Sequence, residues 1–196
     1  MNGDGLRFDV MDRRRAERYR CNERYAMVSI GDPEQAIPDF PDDPNRLAVA
    51  RFTFFDISTR SSEFRTFGRQ EARMLLDFFD EMRSKVRLLA IHCDAGISRS
   101  WGVALGLSLV AGGAERYIEG GYPNALVVHS ILREHERRTG EAIPMPVVTR
   151  LSPYCPEHAE TTFASRTTDD GFRDFCARCD KPALMRDRDI FAGWAP

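Results

Sequence analysis

Lysine is almost absent from this 196-residue chain: all but Lys85 and Lys181 of its 28 basic residues are arginine. Net charge is nearly absent as well, at -2. That excludes the global positive field that draws a protein to nucleic acid or to an anionic membrane. The arginine bias reads as the mark of a GC-rich coding genome, although arginine is also the better phosphate ligand. No long hydrophobic run occurs. The longest near-apolar stretch, Trp101 to Gly113, is shorter than the ~18 residues a membrane-spanning helix needs. Met1 to Gly5 has neither a basic nor an apolar segment, so no secretory signal is expected. Cysteines number 5, with Cys21 and Cys93 alone and Cys155, Cys176 and Cys179 gathered in the last quarter. An odd and uneven set argues against a disulfide framework. It suits a reducing cytoplasmic setting with one reactive thiol and one metal site. The remaining composition, 42% hydrophobic and 30% charged, is that of a folded globular protein with one good core.

Periodicity supplies the elements. Leu6 to Met11 alternates apolar and polar, as a half-buried strand does, and Asp12 is placed to cap an arginine-rich helix over Arg13 to Arg20. Ala26 to Ile30 reads as a buried strand stopped by Gly31-Asp32-Pro33, and Leu47 to Phe55 as a longer strand ending at Asp56. Ala72, Leu75, Leu76, Phe79 and Met82 form the apolar stripe of a helix. Leu88 to Ile91 is the continuous apolar run of a central parallel strand. After a Gly/Ser-rich turn come an apolar segment, Trp101 to Val110, and an amphipathic helix bearing Val127, Val128, Ile131 and Leu132, running to Arg138 and stopped by Gly140. Strands alternating with helices predict an α/β fold with a mostly parallel central sheet flanked by helices. Pro144, Pro146 and Pro153 mark a change of regime. The expected division is a main domain over 1–142, a proline-containing linker over 143–153, and a tail over 154–196 too poor in aliphatic residues to fold without a staple.

The most informative stretch is Ala90-Ile91-His92-Cys93-Asp94-Ala95-Gly96-Ile97-Ser98-Arg99-Ser100. A buried strand delivers a cysteine to its carboxyl end, five residues close a tight loop, and an arginine opens a helix. The loop N–H groups and the helix N-terminus make a cradle for an anion, and the arginine offers a planar fork for two phosphate oxygens. A thiol at the base of such a cradle sits in a positive potential that favours the thiolate, placed to attack phosphorus.

These residues resemble the active-site loop of the protein tyrosine phosphatase superfamily, His-Cys-x5-Arg-Ser/Thr. They are most similar to the small dual-specificity branch, through His92, Cys93, Ala95, Gly96, Ser98, Arg99 and Ser100. Similarity of organisation runs from about Leu6 to Arg138, and the resemblance implies that 1–142 is a phosphatase-like catalytic domain. A rhodanese-type sulfur carrier also places a cysteine before an anion loop, but does not ordinarily carry this histidine and arginine. The resemblance implies that Cys93 is the nucleophile that becomes phosphocysteine, that Arg99 binds phosphate and transition state, and that Ser100 hydrogen-bonds the thiolate. It implies that His92 supports Cys93, and that Asp94, Ala95, Gly96, Ile97, Ser98 and Arg99 surround the phosphate. It also calls for an aspartate as general acid, with no cofactor for catalysis. Asp56 is the candidate because strand ends in parallel sheets converge on the ligand crevice; a strand or turn cap is its other reading. Asp77 and Asp80 are expected on the solvent face of the following helix. Pro123-Asn124 resembles a Pro-Asn pair whose asparagine braces the catalytic loop, and Asn124 equally fits a helix N-cap.

Asp94 and the lack of lysine in the loop argue against inositol phosphates. The implied substrate is phosphotyrosine, with phosphoserine and phosphothreonine beside it, on a protein partner. The alternatives are a nucleotide or RNA 5′-phosphatase and a non-catalytic phosphate-binding scaffold. Neither membrane nor nucleic acid is expected as a partner. Arg13-Arg14-Arg15 reads as a docking patch or as a solvated helix face.

In the tail, Cys155-Pro156-Glu157-His158 is followed, after 17 intervening residues, by Cys176-Ala177-Arg178-Cys179. Two knuckles with two-residue spacers suit a closed tetrahedral Cys3His zinc site, similar to a zinc ribbon. The metal would be structural, held by Cys155, His158, Cys176 and Cys179, with strands around Thr161-Thr162-Phe163 and over Phe172 to Phe175. Acidic and basic residues nearly balance from Arg150 onward, so no electrostatic footprint for nucleic acid is present. His129 and His135 share no helix face and are not expected to be ligands.

Overall fold

The computed structural model describes residues 6–112, 121–146, 148–154, 156–158, 163–168, 171–181, 184–189, 191 and 194. The chain separates into two compact units, 1–145 with 194–196, and 146–193.

In the first unit, β1 (Arg7–Asp12), β2 (Tyr25–Gly31), β3 (Arg46–Thr53) and β4 (Leu88–Cys93) form one sheet in the order β1-β4-β2-β3. Every pairing is parallel, so all four carboxyl ends lie at one edge. β4 is interior and buried along its whole length, which is why it reads as an unbroken apolar run. The period of two in strands divides the core. Ala26, Val28 and Ile30 of β2 and Leu89, Ile91 and Cys93 of β4 face the larger cluster, with residues of α2 (Arg69–Met82), α3 (Arg99–Val110) and α4 (Ala125–Thr139). Tyr25 and Met27 of β2 and Leu88 and Ala90 of β4 face a smaller cluster with Ala16 of α1 (Arg13–Ala16), against which Tyr19, Cys21 and Phe40 pack. The parallel sheet flanked by helices is the architecture expected from the alternation of elements.

Two helix ends follow their sequence signals. Asp12 caps α1, accepting from the Arg15 N–H at 2.7 Å, and Gly140 closes α4 with φ 77° in the left-handed region. α1 is shorter than the expected Arg13 to Arg20. After Glu17 the backbone tightens to three-residue turns, Arg18 N–H to Arg15 C=O at 3.2 Å and Tyr19 N–H to Ala16 C=O at 3.1 Å. Tyr19 then docks edge-on against Tyr25 at 5.4 Å and donates to Asp9 at 2.9 Å. Burial of that ring on the second sheet face outweighs continuation of an exposed arginine helix. β3 likewise stops at Thr53 rather than Phe55. Among the described residues no helix is long and apolar enough to cross a membrane.

The second unit contains β5 (Thr149–Tyr154) paired antiparallel with β8 (Leu184–Asp189), and β6 (Phe163–Thr168) paired antiparallel with β7 (Gly171–Cys176). Thr161 and Thr162 lie outside the described residues.

Candidate active site

Parallel pairing sets the site. β4 ends at Cys93, in register with Asp12 at the end of β1, and β2 ends one residue before Asp32. The alternation of side chains puts Cys93 on the helix-covered face and His92 on the other. His92 Nε2 lies 2.8 Å from Ser29 Oγ and its ring meets Phe40 edge-on at 5.6 Å. Burial pushes the His92 pKa down. The histidine packs behind β4, and its burial disfavours the charged ring.

Cys93 is 1% exposed, and its Sγ is 3.2 Å from Ser100 Oγ. The loop that follows bonds outward through its carbonyls. Asp94 C=O accepts from Arg13 N–H at 3.2 Å and Ile97 C=O from Tyr122 N–H at 2.7 Å. Gly96 C=O accepts from Trp101 Nε1 at 2.8 Å. Ser98 C=O accepts from Gly102 and Asn124 N–H groups, at 2.9 and 3.2 Å. With these carbonyls engaged, the loop N–H groups remain available to an anion, as in a backbone nest. Gly96 makes the loop possible. Its φ is 68°, and a Cβ there would stand 2.6 Å from the Asp12 backbone nitrogen.

Arg99 opens α3 and its side chain is 5% exposed. Nη1 donates to Asp32 Oδ1 at 2.6 Å and to Phe54 C=O at 2.8 Å; Nη2 donates to Asp94 Oδ2 at 2.8 Å. Asp56 Oδ2 lies 3.9 Å from Nε, which is buried with no hydrogen-bond partner among the described residues. Burial pulls the guanidinium pKa down, but the charges of Asp32, Cys93 and Asp56 and the Asp94 hydrogen bond outweigh it and leave the pKa raised.

Asp56 sits at the rim, 37% exposed. Its Oδ1 accepts from Ser98 Oγ and from Asn124 Nδ2, both at 2.8 Å. Ser98 is the N-cap residue of α3 but makes no side-chain cap bond; its hydroxyl serves Asp56 instead. Asn124 fills both of its sequence readings. Its Oδ1 caps α4 through Val127 N–H at 3.2 Å, while its backbone and side-chain N–H groups tie Ser98 and Asp56 together. Asp77 and Asp80 are exposed and pair with Arg138.

The structure thus brings together Cys93, Asp94, Gly96, Ser98, Arg99, Ser100, Asp56 and Asn124. Sequence reasoning missed Asp32, Ser29, Trp101 and Trp194. Gly31-Asp32-Pro33 was legible only as a strand stop, although the strand-end argument that selects Asp56 applies equally to Asp32. Trp194 Nε1 donates to Ser58 C=O at 2.6 Å, two residues beyond Asp56, and its ring lies 5.2 Å from that of His129. Nothing in its sequence context points there. Arg13 is engaged by Glu17, Gln35 and the Ala36 carbonyl, and Arg15 by Asp9, the pattern of a solvated face knit to its own domain.

No protein-family model and no curated protein matches the sequence. Among solved structures the chain is similar to human tyrosine phosphatase-like serine/threonine/tyrosine-interacting protein, at 20% identity and TM-score 0.42, over 60% of this chain and 80% of that one. It is also similar to human DUSP28, at 14% identity and TM-score 0.42, over 68% of this chain and 94% of that one. A third similar structure is a mouse putative dual specificity phosphatase, at 15% identity and TM-score 0.38, over 64% of this chain and 74% of that one.

In the tail, His158, Cys176 and Cys179 lie together. Cys155 lies outside the described residues.

Proposed function

We propose that the chain is a cysteine-dependent phosphatase that hydrolyses phosphate monoesters, phosphotyrosine first and phosphoserine or phosphothreonine second, through a phosphocysteine intermediate. The observation that carries this reading is the placement of Cys93 Sγ beside Ser100 Oγ at the base of a loop whose Asp94, Gly96, Ile97 and Ser98 carbonyls are engaged by neighbouring residues, with Arg99 at the far end of that loop. In the first step the Cys93 thiolate attacks phosphorus, an S–P bond forms, and the P–O bond to the leaving group breaks. Arg99 and the loop N–H groups hold the equatorial oxygens. Asp56 gives its proton to the leaving oxygen. Both donors to Asp56 aim at Oδ1, which leaves Oδ2 without a hydrogen bond, 3.9 Å from Arg99 Nε. In the second step water attacks phosphorus, Asp56 takes a proton from it, and the S–P bond breaks to return the thiolate and inorganic phosphate. Ser100 stabilises the departing thiolate.

The non-catalytic reading draws on a separate observation: Asp94 occupies the Nη2 donor of Arg99 that a phosphate would need. At 25% exposure the Asp94 side chain has room to swing outward and exchange with an anion. Hydrolysis of an aryl phosphate by the full chain tests the proposal. Cys93→Ser abolishes turnover while oxyanion binding persists, because the cradle is backbone and Arg99. Retained turnover in that variant sinks the nucleophile assignment, and no turnover by the wild type favours the scaffold. A phosphopeptide against nucleotide panel then separates protein from nucleotide substrates.

A further inference from the structure

We infer that the tail binds one zinc ion through His158, Cys176 and Cys179, with Cys155 assigned the fourth position by sequence spacing. The inference stands on different residues from the phosphatase reading and is independent of it.

Three observations carry it. First, the ligand atoms of His158, Cys176 and Cys179 all lie within 4.8 Å of one another. Second, Cys176 Sγ is 3.6 Å from His158 Nδ1. Tetrahedral angles with Zn–S near 2.3 Å and Zn–N near 2.05 Å place a sulfur and a nitrogen ligand about 3.6 Å apart and two sulfurs about 3.8 Å apart. The sulfur–nitrogen edge is already at that length, and Cys179 needs to close by at most about an ångström. Third, backbone hydrogen bonds close a tight turn around the two cysteines. Cys176 ends β7, its N–H donates to Lys181 C=O at 3.0 Å, and Asp180 N–H returns to Cys176 C=O at 2.9 Å. Asp180 takes φ 57°, a left-handed residue within the turn these two bonds close. A Lys181–Glu157 ion pair ties this turn to the residue beside His158.

The chemistry of the donor set selects the metal. Thiolates with an imidazole suit zinc and not the oxygen-seeking magnesium or calcium. Binding replaces each cysteine proton, released to solvent, with a Zn–S bond, and His158 enters as a neutral donor. A ligand set of three thiolates and one imidazole is closed, so the ion is structural. The tail has two short strand pairs and few aliphatic residues, and metal binding supplies the folding energy that a core of this size lacks.

The test uses the full chain. Elemental analysis should find about one equivalent of zinc, and cobalt(II) exchange should give tetrahedral d–d absorption with a thiolate charge-transfer band. Cys176→Ser and Cys179→Ser should lose the metal. His158→Cys should keep it and strengthen the charge-transfer band, a gain that a merely misfolded tail cannot produce. Cys155→Ser with undiminished metal affinity would overturn the fourth-ligand assignment. Chelation of the wild type should open the chain to protease beyond Pro153 while Leu6 to Arg138 stays protected. Wild-type protein without zinc and without a cobalt spectrum, or with the same protease pattern before and after chelation, would overturn the site. Aryl phosphate hydrolysis, read in parallel, reports on Cys93 and not on this proposal.

Discussion

Asn124 holds Asp56 with one end of its amide and the start of α4 with the other: Nδ2 donates to Asp56 Oδ1 at 2.8 Å, and Oδ1 accepts from Val127 N–H at 3.2 Å. The two bonds are separable by mutation. Asn124→Ser keeps a capping oxygen but removes the Nδ2 donor to Asp56. Its thermal stability should stay near wild type while phosphotyrosine hydrolysis falls. Asp56→Asn should slow a poor leaving group by ~10²–10⁴-fold, the contribution of a positioned acid, and slow an activated aryl phosphate less. Equal losses on both substrates would move the acid elsewhere.

Asp32 and Asp94 both contact Arg99 but should act in opposite directions. Asp32 holds Nη1 together with the Phe54 carbonyl, and so orients the fork. Asp94 holds Nη2, the donor for which a bound phosphate would have to compete. Asp94→Ala should strengthen inhibition by inorganic phosphate about tenfold, equivalent to about 1.4 kcal/mol. Asp32→Ala should lower kcat by about 100-fold, the usual effect of a catalytic group misplaced by an ångström. Arg99→Lys should cripple turnover, because an ammonium cannot reproduce the bidentate fork. Steady-state kinetics with phosphate as a competitor separates the three; a weaker phosphate effect in Asp94→Ala would remove the competition argument.

Stability should depend on pH through His92. Its folded pKa is depressed by burial, so between that value and the unfolded value near ~6.5 the unfolded chain binds more protons. Stability therefore rises with pH in that window. It is fully present above about 6.5 and is lost on acidification through the folded pKa. Thermal melts of wild type and His92→Asn across about pH 5 to 7.5, the range in which histidine titrates, check this. The variant should show a shallower acid limb, and parallel limbs would exclude His92 as the cause.

Gly96→Ala should inactivate without unfolding. The added Cβ would meet the Asp12 backbone nitrogen at 2.6 Å and the Met11 carbonyl carbon at 2.7 Å, so the loop must move, on top of a left-handed strain of about 1–3 kcal/mol. Gly140→Ala is the control: φ is 77° but nothing lies within 4 Å of the added Cβ. It should lose stability and keep activity. Comparable activity in both variants would show that the loop tolerates displacement.

The sequence by itself determined the alternation of strands and helices, the burial of Leu88 to Ile91, the caps at Asp12 and Gly140, and the loop from Cys93 to Arg99. Each is a local property: a period of two or 3.6, a cap within one turn, a contiguous motif. It also pointed to Asp56, because a parallel sheet sends every strand's carboxyl end to the same edge. Only the tertiary structure decided which groups meet there. Asp32 is 67 residues from Arg99 in sequence and Trp194 is 136 from Ser58. No periodicity relates such pairs; they meet through the strand order β1-β4-β2-β3 and the packing of side chains around it. The early end of α1 has the same origin. Its arginines carry helix propensity as far as Arg20, but propensity amounts to a few tenths of a kcal/mol per residue, and docking the Tyr19 ring against Tyr25 contributes more.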